Sequence, residues 1–262
     1  SRWLYSLAAN REIMAIWAIA DLHLSFGVSN KQMDVFGPQW IDYTNKIEKA
    51  WRAFIAPEDL VLIPGDISWA MHLEEARPDL EWIDRLPGTK VMIKGNHDYW
   101  WSSLSKLKTI LPPSCHLIQN NSWTWHDVSI AGTRLWDIPQ ISFSEIIDFK
   151  KHECVKALTE SDESPESQKI YQRELGRLET SLKSMNPLAK QRIVMTHYPP
   201  IGPSFQETEA SRLLEKYNVN ICVFGHLHNV KPGLKLFGTH HGIRYYLTAC
   251  DYLEDFKPVR IL

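Results

Sequence analysis

The sequence is poor in cysteine, with four residues in 262 and no Cys-x-x-Cys pair. Structural zinc sites are usually built from such closely spaced pairs, so the spacing argues against one. Reduced thiols are the simpler interpretation, and they are typical of proteins that stay in the cytoplasm. We therefore expect a cytoplasmic protein whose fold needs no disulfide. The four residues are Cys115, Cys154, Cys222 and Cys250.

An excess of either charge is also lacking. Lys and Arg together number 29 and Asp and Glu number 31, which gives a net charge of −2 at pH 7. Proteins that hold nucleic acid or an anionic membrane by charge carry a clear positive excess. The composition shows no such sequence-wide footprint, although it is compatible with a local basic groove.

No apolar run approaches the roughly 20 residues that a membrane-spanning helix needs. Apolar residues from Ile13 to Ala20 resemble the core of a signal peptide, but the run is short and leads directly into Asp21 and His23. We interpret it as the first strand. Residues 1–13 fit a processed leader, a remnant of cloning or a native extension. With 44% hydrophobic residues the chain can fill one large core.

Short apolar blocks alternate with longer amphipathic segments along most of the chain. The blocks have the length and composition of strands covered on both faces, and they cover residues 15–20, 60–64, 90–94, 192–196 and 220–224. The segments with apolar residues at helical spacing cover residues 41–55, 73–86, 99–111 and 207–217. This alternation predicts βαβ units and a mostly parallel sheet, which binds ligands at the carboxyl ends of its strands.

A second sheet is predicted from shorter blocks. Residues 116–120, 122–126 and 128–131 are typical of an antiparallel meander, with Asn120-Asn121 as a turn. Further strand-like blocks near the C-terminal end cover residues 243–248 and 259–262. We expect a second sheet that packs on the first one.

Two charge-rich segments, 142–156 and 165–184, are predicted to be helices separated by a polar stretch. Their charge is typical of a solvated helical pair, and a lid or a partner surface is the alternative interpretation. We interpret about 142–186 as an insertion that lies outside the core. The chain, residues 1–262, is otherwise predicted to form a single domain.

Polar motifs follow five of the apolar blocks directly. They are Asp21-Leu22-His23, Gly65-Asp66, Gly95-Asn96-His97-Asp98, the lone His197 and Gly225-His226-Leu227-His228. Because the carboxyl ends of parallel strands meet at one edge of a sheet, we expect these distant residues to converge. Imidazole, carboxylate and amide donors without thiolate favour manganese, iron or zinc over calcium. The sequence therefore predicts a centre for two divalent ions.

The spacing within the motifs supports shared ligation. Asp21 and His23 are two residues apart on an extended segment, so both side chains can reach one ion. Asp66 has two carboxylate oxygens and can bridge two ions. The two histidines of the Gly225-His226-Leu227-His228 motif again share one face and could divide between the ions.

In this order the motifs resemble those of the calcineurin-like metallophosphoesterases. That family's pattern is D-x-H, G-D, G-N-H-[D/E], a lone His and G-H-x-H, and here it spans residues 21–228. The resemblance implies an α/β fold, a four-layer α/β/β/α sandwich of two mixed sheets flanked by helices. It also implies that Asp21, His23, Asp66 and His228 hold one ion, and that Asp66, Asn96, His197 and His226 hold the other.

The resemblance further implies an enzyme that cleaves a phosphate ester, either a phosphodiester or a phosphomonoester, by a metal-activated hydroxide. His97 would be the general acid that protonates the leaving group, and Asp98 would orient its imidazole. The cofactors would be two divalent transition-metal ions, manganese first, with iron, zinc or nickel as alternatives. We expect a small-molecule phosphate ester as the partner, since the near-neutral charge does not favour nucleic acid.

Three alternatives bear on this hypothesis. The serine/threonine phosphatase branch continues its second motif with a Val-Asp-Arg-Gly-like run, whereas Ile67 and Ser68 follow Asp66 here, so that branch is disfavoured. A scaffold that has lost turnover is the rival class, but such proteins lack ligands or the catalytic histidine, and none is missing. Arg134 could clamp a second phosphate, although an exposed salt bridge is the simpler interpretation.

Overall fold

The computed structural model describes residues 14–149 and 164–262. Within these ranges the chain forms two mixed sheets of five and six strands. The buried strands are short blocks of aliphatic residues, as the sequence predicts, because apolar groups cover both of their faces.

The first sheet is parallel except at one edge. Its strands are β1 (Ile16–Ala18), β2 (Leu60–Ile63), β3 (Thr89–Met92), β4 (Cys115–Leu117) and β11 (Val259–Arg260). Their order is β11-β1-β2-β3-β4, with β11 antiparallel to β1 and the other neighbours parallel. The carboxyl ends of β1, β2 and β3 therefore lie side by side.

The second sheet is also parallel at its centre. Its strands are β5 (Ser122–Trp125), β6 (Val128–Thr133), β7 (Gln191–Thr196), β8 (Ile221–Phe224), β9 (Gly238–His240) and β10 (Ile243–Leu247). Their order is β5-β6-β7-β8-β10-β9, with a parallel centre and an antiparallel strand at each edge.

Helices cover the outer face of each sheet. The first sheet carries α1 (Tyr43–Phe54), α2 (Arg77–Asp84) and α3 (Leu104–Leu107), and the second carries α4 (Pro165–Lys183) and α5 (Glu209–Lys216). Between the sheets lies a third apolar cluster that draws Leu62 from one sheet and Ile193 from the other. The predicted four-layer α/β/β/α sandwich is confirmed.

The helix predicted over residues 99–111 is reduced to the short α3. Trp100 leaves the helical path because its indole nitrogen donates a 3.0 Å hydrogen bond to the carboxylate of Asp98. Ser103 is extended, with φ −65° and ψ 151°, so the helix begins only after it. Side-chain contacts thus override the local apolar periodicity.

The predicted antiparallel meander is wrong in its first strand. β4 pairs in parallel with β3 in the first sheet, whereas β5 and β6 form an antiparallel pair in the second. Asn120 has a left-handed φ of 60°, and the side chain of Asn121 accepts a 2.8 Å hydrogen bond from the backbone of Gln119. These asparagines therefore form the crossover between the sheets.

The charged helical pair also differs from the prediction. Residues 144–146 form a single 3-10 turn, and residues 150–156 lie outside the described ranges. Helix α4 starts after Ser164, whose hydroxyl caps it, and it buries Leu175, Leu178 and Leu182 against the second sheet. This apolar stripe at helical spacing makes α4 part of the core, so the expectation that it lies outside was wrong. The single domain with an insertion stays a prediction.

Among the described residues, none of the helices combines the length and apolar character required to cross a membrane.

Candidate metal centre

The motif loops meet where the carboxyl ends of the two sheets adjoin. Backbone hydrogen bonds join them directly, from Asp21 N to Gly65 O and from His23 N to Asp66 O, each 3.0 Å long. A third bond of 3.0 Å runs from Gly225 N to the carbonyl of His197. Strand order thus brings together motif residues separated by as many as 205 positions in a single contact, as the sequence analysis expects.

One group of candidate ligands consists of Asp21, His23 and His228. The Nε2 atom of His228 lies 3.4 Å from Asp21 Oδ1 and 3.4 Å from His23 Nε2. The Nε2 atom of His23 is 3.8 Å from Asp21 Oδ1. All three side chains are buried, and their donor atoms are close enough to share one ion.

A second group consists of Asp21, Asp66 and His197, with Asn96 beside them. The Nε2 atom of His197 lies 3.3 Å from Asp66 Oδ2 and 2.8 Å from Asn96 Oδ1. Asp66 Oδ2 is also 3.6 Å from Nε2 of His23, which belongs to the first group. Asp21 belongs to both groups, and Asp66 Oδ2 lies within 4 Å of a histidine of each, so both carboxylates lie where the two groups meet.

His226 is near the centre but is not part of either group. Its ring lies edge-on to that of His197, with centroids 5.4 Å apart, and packs on Tyr198 at 4.0 Å. Its backbone nitrogen donates to both carboxylate oxygens of Asp21, at 3.3 and 3.0 Å. What the structure shows directly is therefore that His226 fixes Asp21.

Unpaired buried atoms indicate that this pocket is built for cations. Asp66 Oδ2 is buried and has no well-aligned hydrogen bond to any described residue, although His197 Nε2 lies 3.3 Å away. A buried carboxylate oxygen without a well-formed hydrogen bond is costly, and such groups are normally paired or coordinate a metal. Together with facing imidazole nitrogens and no thiolate, this donor set fits divalent ions of the manganese, iron, zinc or nickel type.

Outer hydrogen bonds aim two of the histidines inward. The Nδ1 atom of His197 is 2.8 Å from the carbonyl oxygen of Pro64, and Nδ1 of His228 is 2.9 Å from Asp251 Oδ1. Such bonds fix the ring so that Nε2 faces the metal. Asp251 was missed in the sequence because it belongs to no motif. It does follow β10, as the other site residues follow their strands.

Two motif glycines allow the loops to approach the carboxylates. A Cβ on Gly95 would lie 2.1 Å from Asp66 Oδ1, and a Cβ on Gly225 would lie 2.1 Å from Asp21 Oδ2. Any other residue at these positions would displace a candidate ligand.

The backbone of several candidate ligands is held in an unfavourable conformation. Four of them have left-handed φ angles between 44° and 70°: Asp21, His23, Asp66 and His226. Such φ angles cost free energy in residues other than glycine, and they persist where the surrounding structure imposes them, often at functional sites. The loop hydrogen bonds supply that constraint here.

His97 faces the two groups without a partner. Its ring lies 5.8 Å from that of His23 and 4.8 Å from Trp69, and neither ring nitrogen has a hydrogen-bond partner among the described residues. Burial lowers the pKa of its imidazole. The ring is thus available to a ligand in the centre.

Asp98 does not orient His97, in contrast to the expectation. Its Oδ2 accepts a 2.7 Å hydrogen bond from Gly95 N, and its Oδ1 accepts bonds from Ile67 N, Ser68 N and the indole of Trp100. Four donors therefore occupy the carboxylate. Burial and the neighbouring charge of Asp66 raise its pKa to about 6. Asp98 fixes the motif loops around Asp66.

The charged groups in the centre shift one another's pKa values. Burial disfavours the ionised form of Asp66, but the charges of His197 and His23 outweigh it and hold the pKa of Asp66 well below its usual range. Burial likewise lowers the pKa of His197, whereas the carboxylates of Asp66 and Asp21 raise it to about 9. Without a metal, the protonated His197 therefore pairs with Asp66, and a bound ion would replace that proton.

Tryptophans wall one side of the centre. Trp69 is half-buried and stacks on His23, with ring centroids 4.8 Å apart and planes 24° apart. Trp40 packs edge-on with His23 and His228, with ring centroids 6.3 and 5.8 Å apart. Trp100 and Trp101 are buried in the core.

Comparison with known proteins decides the family. The family model for calcineurin-like phosphoesterases matches residues 14–230. The chain belongs to this family. Its members generally bind divalent metals and hydrolyse phosphoesters, which agrees with the donor set described above.

Three individual proteins illustrate what the chain is similar to. The phosphopantetheinyl hydrolase PptH of Mycobacterium tuberculosis is similar with a TM-score of 0.53 and 15% identity over 95% of each chain, which shows the shared fold. A protein of unknown function from Aquifex aeolicus, AQ665, gives a TM-score of 0.48 and 14% identity over 94% of this chain and 95% of that one. The Gene 66 protein of Mycobacterium phage D29 is 34% identical over 83 residues, which are 32% of this chain and 40% of the phage protein.

Proposed function

We propose that this protein hydrolyses a phosphate ester at a centre of two divalent ions that share Asp66. The observation that carries the proposal is the buried Oδ2 atom of Asp66, which lacks a well-aligned hydrogen bond and lies between the Nε2 atoms of His23 and His197. Family membership supports the same chemistry. We infer that Asp21, His23, Asp66 and His228 hold one ion, and that Asp66, Asn96, His197 and His226 hold the other.

Bound ions of this kind lower the pKa of a water molecule and stabilise negative charge on the phosphate oxygens. The chain itself supplies the remaining functions. Asp98 and the motif glycines position Asp66, and Asp251 positions His228. His97, with both ring nitrogens unpaired, would donate a proton to the departing oxygen.

The proposed substrate is a small-molecule phosphate ester, either a monoester or a diester. We place the protein outside the serine/threonine phosphatase branch because Ile67 and Ser68 follow Asp66 where that branch has an arginine-containing run. We propose a cytoplasmic location because the few cysteines described are unpaired and buried.

Hydrolysis of bis-p-nitrophenyl phosphate tests the proposal. The protein is stripped with a chelator, loaded separately with manganese, iron, zinc or nickel, and assayed for release of p-nitrophenolate. We expect activity with at least one metal and loss of that activity in Asp66→Asn. If none of the four metals supports turnover, the protein is a scaffold of the same fold and the proposal is wrong.

The role of His97 is tested with His97→Asn on two diesters that differ in their leaving group. An alkoxide needs protonation as it departs, whereas p-nitrophenolate does not, so the general acid matters only for the first. We expect kcat to fall roughly 100-fold or more for the alkyl diester and far less for the p-nitrophenyl diester. Equal losses on both substrates would contradict the assignment and indicate a binding role.

A further inference from the structure

A cavity of about 320 Å³ lies beside the candidate metal centre. Its walls come from both sheets, through residues at the carboxyl ends of β3, β4 and β6, and from helix α4. Polar and charged side chains dominate its lining, including Lys94, Arg134, Arg173, Glu174 and Arg177. A volume of this size is ample for a phosphate group and its first contacts.

The charges that line the cavity do not balance. Four cationic side chains face one carboxylate, which leaves an excess of three positive charges among the described lining residues. This excess is local, since the whole chain has a net charge of −2. Cations gathered around a partly enclosed space repel one another, and an anion in that space relieves the repulsion. The cavity is the local basic groove that the composition allows.

Glu174 organises the cluster without neutralising it. Its Oε1 accepts hydrogen bonds from Arg134, at 3.1 Å, and from Arg177, at 2.7 Å. Its Oε2 accepts a 2.8 Å bond from the hydroxyl of Thr133. The carboxylate is buried and fully engaged, so it holds two guanidinium groups in fixed positions.

Arg134 is not the exposed salt-bridge residue that the simpler interpretation of the sequence suggests. Its side chain is 15% exposed and packs on the ring of Trp136, 4.5 Å from the centroid. Its Nε is buried with no hydrogen-bond partner among the described residues, so Glu174 satisfies only part of its donors. An arginine fixed in this way has lost its mobility before any ligand arrives, which favours binding.

The backbone places the cavity close to the candidate ligands. The carbonyl of Arg134 accepts a 3.0 Å hydrogen bond from the backbone nitrogen of His197. Lys94 precedes Asn96 by two residues, and two residues of chain span at most about 7 Å. A substrate that occupies both places therefore needs two anionic groups separated by a short linker.

We propose that this cavity binds a second phosphate group of the substrate, next to the ester phosphate that the metal centre cleaves. The inference rests on the proposed function and narrows its substrate class to molecules with two phosphate groups. Guanidinium groups pair with phosphate oxygens in a planar, bidentate manner, and a lysine adds a point charge. Phosphate is favoured over carboxylate because its two negative charges match the excess in the cavity more closely.

Two p-nitrophenyl esters of thymidine monophosphate test the proposal. In one ester the 3′-hydroxyl of the deoxyribose is free, and in the other that hydroxyl carries a second phosphate. With the metal-loaded protein we expect the second phosphate to lower KM about tenfold or more, with kcat within about twofold. This advantage should vanish in the double variant Lys94→Gln/Arg173→Gln, in which the three groups bonded to Glu174 are intact. Equal KM values in the wild type, or an advantage that the double variant retains, would overturn the proposal.

The matched control removes two cations from the surface outside the cavity, as Lys49→Gln/Lys190→Gln. It lowers the net charge by the same amount, so it should keep the wild-type ratio of KM values. If the control also loses the advantage, the effect comes from overall charge and the cavity has no specific role.

A binding experiment separates this inference from the proposed function. Chelator-treated protein is titrated with inorganic phosphate and with acetate by calorimetry, which requires no turnover. We expect phosphate to bind at least about tenfold more tightly than acetate and the Lys94→Gln/Arg173→Gln variant to lose that binding. Comparable affinity for acetate, or unchanged affinity in the variant, would overturn the inference even for an active enzyme. Phosphate binding without any hydrolysis would support the cavity and refute the proposed function.

Discussion

Asp251 shows how a residue outside the motifs controls one inside them. Its carboxylate is 2.9 Å from Nδ1 of His228, and both side chains are almost fully buried. The negative charge favours the tautomer that leaves Nε2 free for a metal and makes that nitrogen more basic. Asp251→Asn keeps the shape and removes the charge. We expect the dissociation constant for Mn²⁺, measured by titration of the stripped protein, to rise about 10–100-fold.

The control for that variant is Asp127→Asn. Asp127 pairs with Lys190 at 3.4 Å, but both side chains are more than half exposed, so the pair lies in solvent. Manganese affinity should be unchanged. If Asp251→Asn binds manganese as tightly as this control does, the hydrogen bond to His228 has no part in ligation.

Gly95 is required because of its neighbour and not because of its own flexibility. A Cβ at this position would come within 2.1 Å of Asp66 Oδ1 and within 2.2 Å of Asp66 N. Gly95→Ala should therefore displace the proposed bridging carboxylate and abolish metal-dependent hydrolysis, while circular dichroism still shows a folded protein.

Gly176→Ala is the matched control, since nothing lies within 4 Å of that position on α4. It should retain activity and gain about 0.5–1 kcal/mol of stability. Full activity in Gly95→Ala would contradict this prediction and show that the loop can move to accommodate the extra methyl group.

The candidate ligands could be located from sequence because each motif directly follows a strand. The motifs name seven candidate ligands together with His97 and Asp98, and the order of the strands brings these nine residues together. The partners of Asp98 could not be predicted in this way. Gly95 lies in the same motif, but Ile67, Ser68 and Trp100 reach Asp98 only through the fold. Sequence patterns thus predict the candidate ligands, but they do not predict the hydrogen bonds that hold those residues in place.

At the scale of elements, a buried carboxylate joins α2 to two loops of the site. Asp79 Oδ1 accepts a 2.8 Å hydrogen bond from the backbone of Phe26, and Asp79 Oδ2 accepts a 2.5 Å bond from the hydroxyl of Ser68. These loops lie immediately after His23 and after Asp66. Burial raises the pKa of Asp79 to about 6, against 3.8 for the free group, although both hydrogen bonds oppose the shift.

This pKa predicts a pH-dependent stability of definite sign. An acid with a raised pKa in the folded state binds its proton more tightly there than in the unfolded chain, so its contribution is most favourable below pH 4 and is lost as the pH rises to about 6. We expect the free energy of unfolding of the wild type, relative to Asp79→Asn, to fall by up to about 3 kcal/mol between pH 4 and pH 7. Urea unfolding of both proteins measures this difference. A constant difference across that range would mean that Asp79 is ionised throughout.

Elements that can be recognised from their own sequence were predicted better than elements whose position depends on contacts with distant residues. Strands β1, β2, β3, β7 and β8 form close to the predicted blocks because each is a short aliphatic run bounded by polar residues. β4 was assigned to the wrong sheet because its sequence permits either partner, and only the parallel pairing with β3 decides. Helix α4 was predicted to lie outside the core because charged residues dominate its sequence and its apolar stripe consists of only a few leucines.

At the scale of the molecule, the centre joins loops from both sheets, so metal binding should stabilise the whole fold. Ala20, just before Asp21, forms an isolated parallel bridge with Ala249, which follows β10 of the other sheet. The carboxylates of Asp21 and Asp66 lie together in the interior. Each carboxylate raises the free energy of the other's ionised form, and a divalent ion between them removes that penalty. The unfolded chain holds no such arrangement, so the ion binds mainly the folded state.

Mass action sets the size of this effect. At a free concentration of manganese 100 times its dissociation constant, a single site adds about 2.7 kcal/mol to the free energy of unfolding. We expect thermal denaturation of the stripped protein to shift upward as manganese is added and to return to its starting point with chelator. Asp66→Asn should remove most of the shift, since it breaks the link between the two groups, whereas Asp127→Asn should keep it. A shift of equal size in Asp66→Asn would show that the ion binds elsewhere. If none of the four metals changes the melting temperature, the proposed metal centre is wrong.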